Sequence, residues 1–151
     1  MRCSLLATPL IEDSLAVGEN AMKLEKMGRH TAHIVAKQKW NDVDIDVNVG
    51  ERYEFEARGE WIDWYIPCHA DGFTSKFLLA KLLERCRRVS EANWFALIGC
   101  LDRDLKRHVV IGSGSEHTFD HSGHLYAFAN DVPGFYWNNK GAIDLDIKRV
   151  K

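Results

Sequence analysis

Proline is scarce in this 151-residue chain, with three residues, and no apolar run approaches the ~20 residues that a membrane-spanning helix needs. Trp94 to Ile98 is among the longest such runs. Neither sign of charge dominates, since 20 Lys and Arg face 22 Asp and Glu for a net charge of -2. That balance provides no basic field for nucleic acid or an anionic membrane surface. Cysteine occurs four times, as Cys3, Cys68, Cys86 and Cys100, without any C-x-x-C pair. Such spacing points to reduced, buried thiols rather than a disulfide framework. No secretory leader is expected either. After Met1-Arg2 the apolar stretch from Cys3 is cut short by Pro9 and then Glu12-Asp13, so the expected location is cytoplasmic, or exported without a recognisable signal peptide. No internal repeat or low-complexity linker interrupts the chain.

What is present suits one ordinary domain: 46% hydrophobic and 11% aromatic residues in a length typical of a single core. Residues 1–30 lack a clean period, offer at most a short helix over Glu19 to Met27, and read as an N-terminal extension to a domain spanning 31–151. From there the period becomes two. Ala32, Ile34 and Ala36 alternate with their neighbours, as do Val43, Ile45, Val47 and Val49, then Tyr53, Phe55 and Ala57. Each is the signature of a strand with one wet face. Trp61, Ile62, Trp64 and Ile66 continue apolar until Pro67, which is expected to end the pairing. Ala96 to Gly99 is apolar throughout and reads as a strand buried on both sides. Further strands are expected over 108–111, 116–120, 123–129 and 142–150, with Gly112 to Ser115 as a hairpin turn. One segment departs from this pattern: over 75–89, Leu78, Leu79, Leu82, Leu83 and Cys86 fall at helical spacing, with Lys76, Lys81, Arg85, Arg87 and Arg88 on a solvent face. The expected architecture is all-β, an antiparallel jelly-roll sandwich with one inserted amphipathic helix.

Chemistry concentrates between two of these strands. Asn130 to Gly141 holds one carboxylate, Asp131, and the amides Asn130, Asn138 and Asn139, with Pro133-Gly134 placed to turn the chain back. Calcium takes six to eight hard oxygen ligands, and a loop supplies them through carboxylates, amide oxygens and backbone carbonyls. The spacing is not that of an EF-hand, and loops use the same residues to satisfy their own backbone. On residue types alone both readings stand. The run Asn130-Asp131-Val132-Pro133-Gly134-x-Tyr136-x-Asn138-Asn139-x-Gly141 resembles the metal-and-sugar loop of the PA-IL-like bacterial lectins, which bind galactose through calcium. Gly59-x-Trp61, Ala96 to Gly99 and Ala142 to Lys148 resemble other strands of that family.

The resemblance spans about residues 31–150 and implies a non-catalytic, calcium-dependent, galactoside-binding domain. It places Ca2+ on the side chains of Asp131, Asn138 and Asn139 and on the carbonyls of Phe135 and Trp64. It places the sugar against Asp131, Val132, Asn138 and His69. The implied partner is a galactose-type carbohydrate, with homo-oligomer formation to raise avidity. Phe135 replaces the threonine usual in the family, and Trp64 a tyrosine. One Asp and two Asn also carry little ligand charge for calcium, which favours the alternative of a lectin-like sandwich repurposed as a protein-interaction or accessory module.

Other patterns carry less. His117, His121 and His124 have metal-like spacing, but they straddle a strand, a turn and a second strand, which scatters the rings over solvent-exposed positions. Cys68 and His69 are adjacent in an extended segment, so their side chains point apart and cannot form a dyad. No nucleophile, base and orienting group come together in the sequence, and hydrolysis is ranked last.

Overall fold

Alternation of apolar and polar residues gives each strand one face that leaves water, and two such faces make the core. The computed structural model describes residues 21–75 and 83–151. Among the described residues, nine strands form two antiparallel sheets: β1 (Arg29–Val35), β2 (Asn41–Val47), β3 (Arg52–Asp63), β4 (Ile66–Cys68), β5 (Leu97–Leu101), β6 (His108–Val110), β7 (Gly114–Thr118), β8 (Gly123–Ala129) and β9 (Lys140–Arg149). One sheet runs β1-β9-β3-β4, with β7 also paired to β3; the other runs β2-β8-β5-β6. This is the antiparallel sandwich that the period-two segments imply. Pro67 does not end the pairing. It lies inside β4, opposite Ile62, on a three-residue edge strand where its missing N–H leaves no ladder bond unmade.

The core between the sheets contains Ile34, Ile45, Tyr53, Phe55, Trp61, Leu97, Leu125 and Ile143, all buried. Trp61 of β3 meets Phe95, just before β5, edge to face at 5.8 Å, tying the sheets together at one end. Full burial of each such side chain stabilises by about 1.5–3 kcal/mol.

β5 is buried on both faces, as its uniform composition predicts. Leu97 and Leu101 enter the main core, while Ile98 and Cys100 face a second, smaller one with Val89, Ala92 and Phe128. The segment after residue 82 covers that outer face. Its structure limits the expected helix, whose 76–82 part lies outside the described residues. Glu84–Cys86 is a single 3-10 turn, and Arg87 is already extended at φ -60° and ψ 153°. The helical reading therefore fails over Arg87 to Val89, because Val89 must drop into the small core. The two arginines are not a solvated face either. The Arg87 guanidinium lies 4.9 Å from the Trp94 ring, and that of Arg88 lies 3.9 Å from Trp40 and 3.4 Å from Phe128, stacking that a planar, weakly hydrated cation favours.

Residues 21–27 are not helical. Met22 bridges Ile45 in parallel, and Leu24 is buried in the main core. Residues 1–20 lie outside the described residues. Cys68 and Cys100 are buried thiols pushed up to about 12 by burial.

The three spaced histidines are separated, but not all are solvated. His117 packs on Phe119, His121 bonds the exposed Asp120, and His124 is half-buried on β8. Its Nε2 lies 2.6 Å from Asp42 Oδ1 and its Nδ1 2.8 Å from Asp46 Oδ1, spanning an irregularity in the β2–β8 pairing. Burial alone would lower the His124 pKa, but the hydrogen bonds and charges of the two aspartates outweigh it and hold the imidazolium above its ordinary range. A raised folded-state pKa means the stabilisation is fully present below the unfolded value near 6.5 and is lost as pH rises through the folded value. His124→Asn should therefore lower the melting temperature more at pH 5.5 than at pH 8.5. Equal losses at both pH values would contradict the assignment.

Candidate functional site

Two loops from opposite sheets meet at the rim near Trp61. The first is the tip of the β3–β4 hairpin, where Asp63 pairs with Ile66 and only Trp64 and Tyr65 make the turn. Trp64 takes φ +56°, a left-handed conformation uncommon for a bulky residue. The second follows β8. Phe135 N–H donates to Val132 O at 3.1 Å around Pro133-Gly134, with Gly134 at φ +97°. Proline at the first central position and a positive-φ glycine at the second are what a type II turn requires. Tyr136–Asn138 then forms a 3-10 turn that brings both asparagines back toward Asp131.

The base of this loop is built from saturated polar groups. Asn130 is fully buried; its Oδ1 accepts from Val89 N–H at 3.0 Å, and its Nδ2 donates to the carbonyls of Val89, Ala92 and Asn93. With its oxygen and its N–H groups all engaged inside the protein, Asn130 is a structural clamp. Tyr136 donates its hydroxyl to Ala129 O at 2.7 Å and accepts from Arg88 Nη1 at 3.0 Å. Burial outweighs the Arg88 charge and pushes Tyr136 up to about 12.

The upper side is different. Asp131 is 3% exposed; its Oδ1 accepts from Val132 N–H at 2.7 Å and its Oδ2 from Asn139 Nδ2 at 3.0 Å. Burial nonetheless raises its pKa. The side-chain oxygens of Asn138 and Asn139 are buried and have no partner. Unsatisfied buried acceptors are costly and call for an explanation. Asp63 lines the same cleft as Asp131, and burial together with the Asp131 charge pushes it up to about 6.

The cleft encloses about 430 Å³, and Trp64, Val132, Phe135 and Asn138 line it. Asn139 sits beneath, bonded to Asp131. Trp64, Tyr65, Phe135 and Trp137 are exposed around the rim. Of the residues singled out in sequence, His69 stands apart. It is exposed on the far side of buried Cys68, does not line the cleft, and its Nδ1 lies 3.1 Å from Gly59 O. Asp63 was not foreseen, although a signal existed: it lies two residues after Trp61 in the same strand, and so on the same face.

Among the described residues, no group of three or more His, Cys, Asp or Glu could hold a metal ion. A cation here would depend on amide and carbonyl oxygens in addition to carboxylates. Two carboxylates with two unpartnered amide oxygens form a hard donor set, which fits calcium and not thiophilic metals.

The comparisons with known proteins bear on the frame that holds this site. No family model matches the chain, and no curated protein matches it in sequence. Among solved structures, the EclA N-terminal domain, a PllA-like lectin, matches with a TM-score of 0.59 and 14% identity, covering 79% of this chain and 94% of that one. The chain has a lectin-like fold. At this identity it is the sandwich that is shared, and the lectin-like chain's own side chains define the site.

Asn130→Ala would remove four hydrogen bonds from the interior, leaving Val89 N–H without its acceptor and the carbonyls of Val89, Ala92 and Asn93 each one donor short. It should cost about 2–4 kcal/mol, measured by urea unfolding, at about 1 kcal/mol per lost bond. A loss well under 1 kcal/mol would show that the clamp is dispensable.

Proposed function

We propose that this lectin-like domain binds carbohydrate through calcium, without catalysis. The observation that carries the reading is the pair of buried, unpartnered oxygens on Asn138 and Asn139 beside the buried carboxylate of Asp131. In this reading Asp131, Asn138 and Asn139 hold the ion through side-chain oxygens, and Phe135 and Trp64 through their carbonyls. Asn139 reaches the ion by a half-turn of its carboxamide, which gives up the bonds of Nδ2 to Asp131 and to Ala36 O and puts Oδ1 in their place. Calcium supplies open coordination positions that two neighbouring sugar hydroxyls fill in place of water. The Asp131 carboxylate accepts a charge-assisted hydrogen bond from a sugar hydroxyl and so fixes the sugar's orientation. Aromatic side chains at the rim cover its apolar face, the usual division of labour in small-molecule sites.

The galactoside class rests on the resemblance of the Asn130 to Gly141 run to the PA-IL-like loop, and PllA-like lectin character in the structural neighbour supports carbohydrate as the ligand. Formation of homo-oligomers would compensate for weak single sites. Exposure of Trp64, Tyr65 and Trp137 favours a second reading, a protein-interaction module on the same face.

The deciding experiment is thermal unfolding of chelator-treated protein, with calcium and then galactose added. At a hundredfold excess over Kd, calcium should raise the midpoint by roughly 5 °C or more, and galactose should raise it further. Asp131→Asn should abolish both shifts. A calcium shift with no response to any of a panel of monosaccharides would move the assignment to the interaction module. No calcium shift at all would make the loop a turn and nothing more.

A further inference from the structure

We propose that Asp63 is a second carboxylate of the calcium site, supplying the charge that Asp131 alone lacks. The inference builds on the calcium reading of the Asp131 loop. Asp63 closes β3 on the face that carries Trp61 and lines the cleft together with Asp131. Among the described residues, no side-chain donor or cation is bonded to its carboxylate, and its electrostatic neighbour is Asp131, of the same sign. Asp63 is half-buried and Asp131 buried; two carboxylates facing one partly dehydrated cleft repel, and the fold keeps them there at a cost that a cation would offset.

Acidic residues alone would not define a site. The independent observation is Asn139, 2% exposed and bonded through Nδ2 to Asp131, whose Oδ1 has no partner; Asn138 Oδ1, on the cleft wall, is equally unsatisfied. One divalent cation among these groups would neutralise both carboxylates, satisfy Asn138 Oδ1 and, once the Asn139 carboxamide has turned over, satisfy Asn139 Oδ1 as well. The charge count matters because a sugar is neutral and adds none. With Asp131 alone the ion and its protein ligands keep a net charge of +1; with Asp63 the sum is zero. Calcium affinity follows the number of charged ligands and the rigidity of the site. Asp63 sits on a strand end, a rigid element, facing the Asp131 loop from the opposite sheet, so the ion would clamp the two loops together.

The test compares the full chain with Asp63→Asn, Asp63→Ser and Asp131→Asn. Calcium binding is read by calorimetry, and Tb3+ binding by luminescence sensitised through Trp64 and Trp94, which line the same cleft. Both Asp63 variants should weaken calcium by about tenfold or more. Both should also melt higher than the unsubstituted chain when cation-free, because the like-charge pair is gone. A calcium Kd unchanged in either folded Asp63 variant, with binding abolished in Asp131→Asn, would overturn the role of Asp63 and leave the Asp131 site standing. Absence of calcium and Tb3+ binding by the unsubstituted chain would overturn both.

Discussion

The carboxamide of Asn130 holds together the part of this molecule where its chemistry lies. Fully enclosed, it bonds to Val89 N–H and to three carbonyls of the 89–93 segment, joining the end of β8 to the chain that covers β5. A buried amide with four good partners tolerates little displacement, since each lost bond leaves a desolvated group behind. Asp131 follows it directly, so its position is set by a neighbour that has no freedom. Arg88 braces the same loop from outside. It stacks on Trp40 and Phe128, donates to the Tyr136 hydroxyl, and its N–H bonds Asp131 O at 3.2 Å.

Above this satisfied base lies a layer that breaks the ordinary rules of a protein interior. Asp63 and Asp131 share a cleft without a counter-ion among the described residues, and two asparagine oxygens are buried without donors. Conflicts of this kind are tolerated at functional sites when the surrounding structure over-determines the geometry. Here the surroundings are the Trp61–Phe95 contact between the sheets and the Asn130 clamp. The arrangement is coherent if the missing partner is a cation. The lectin-like fold supplies the rim on which such a site can be built, while the fold by itself carries no particular ligand.

Much of the frame was legible before any coordinates. Ile34, Ile45, Phe55, Leu125 and Leu145 face inward because a period of two leaves a strand one choice of face once a core exists. Ala96 to Gly99 reads as doubly buried because it has no polar face to offer. Pro133-Gly134 announces its turn through proline's restricted φ and glycine's freedom at positive φ. The run around Asp131 was visible as a concentration of oxygen donors, and its likeness to a known loop gave it a direction.

Other features depended on what lies opposite in space. Arg88 looked like a solvated helix residue, yet it stacks between rings that arrive from residues 40, 128 and 136. His69, which the resemblance sets against a sugar, follows β4 and stands exposed, outside the lining of the cleft. His124 became a half-buried ion-pair centre only when β2 brought Asp42 and Asp46 to it. Asp63, an ordinary strand residue in the sequence, gains its meaning from Asp131 in the loop that follows β8. Which faces leave water and where the chain turns follow from residue type and local periodicity, and so could be read from the residues in order. Tertiary structure alone decided which charges and rings meet, because those pairings join residues dozens of positions apart, whose encounter is settled by the packing of the two sheets.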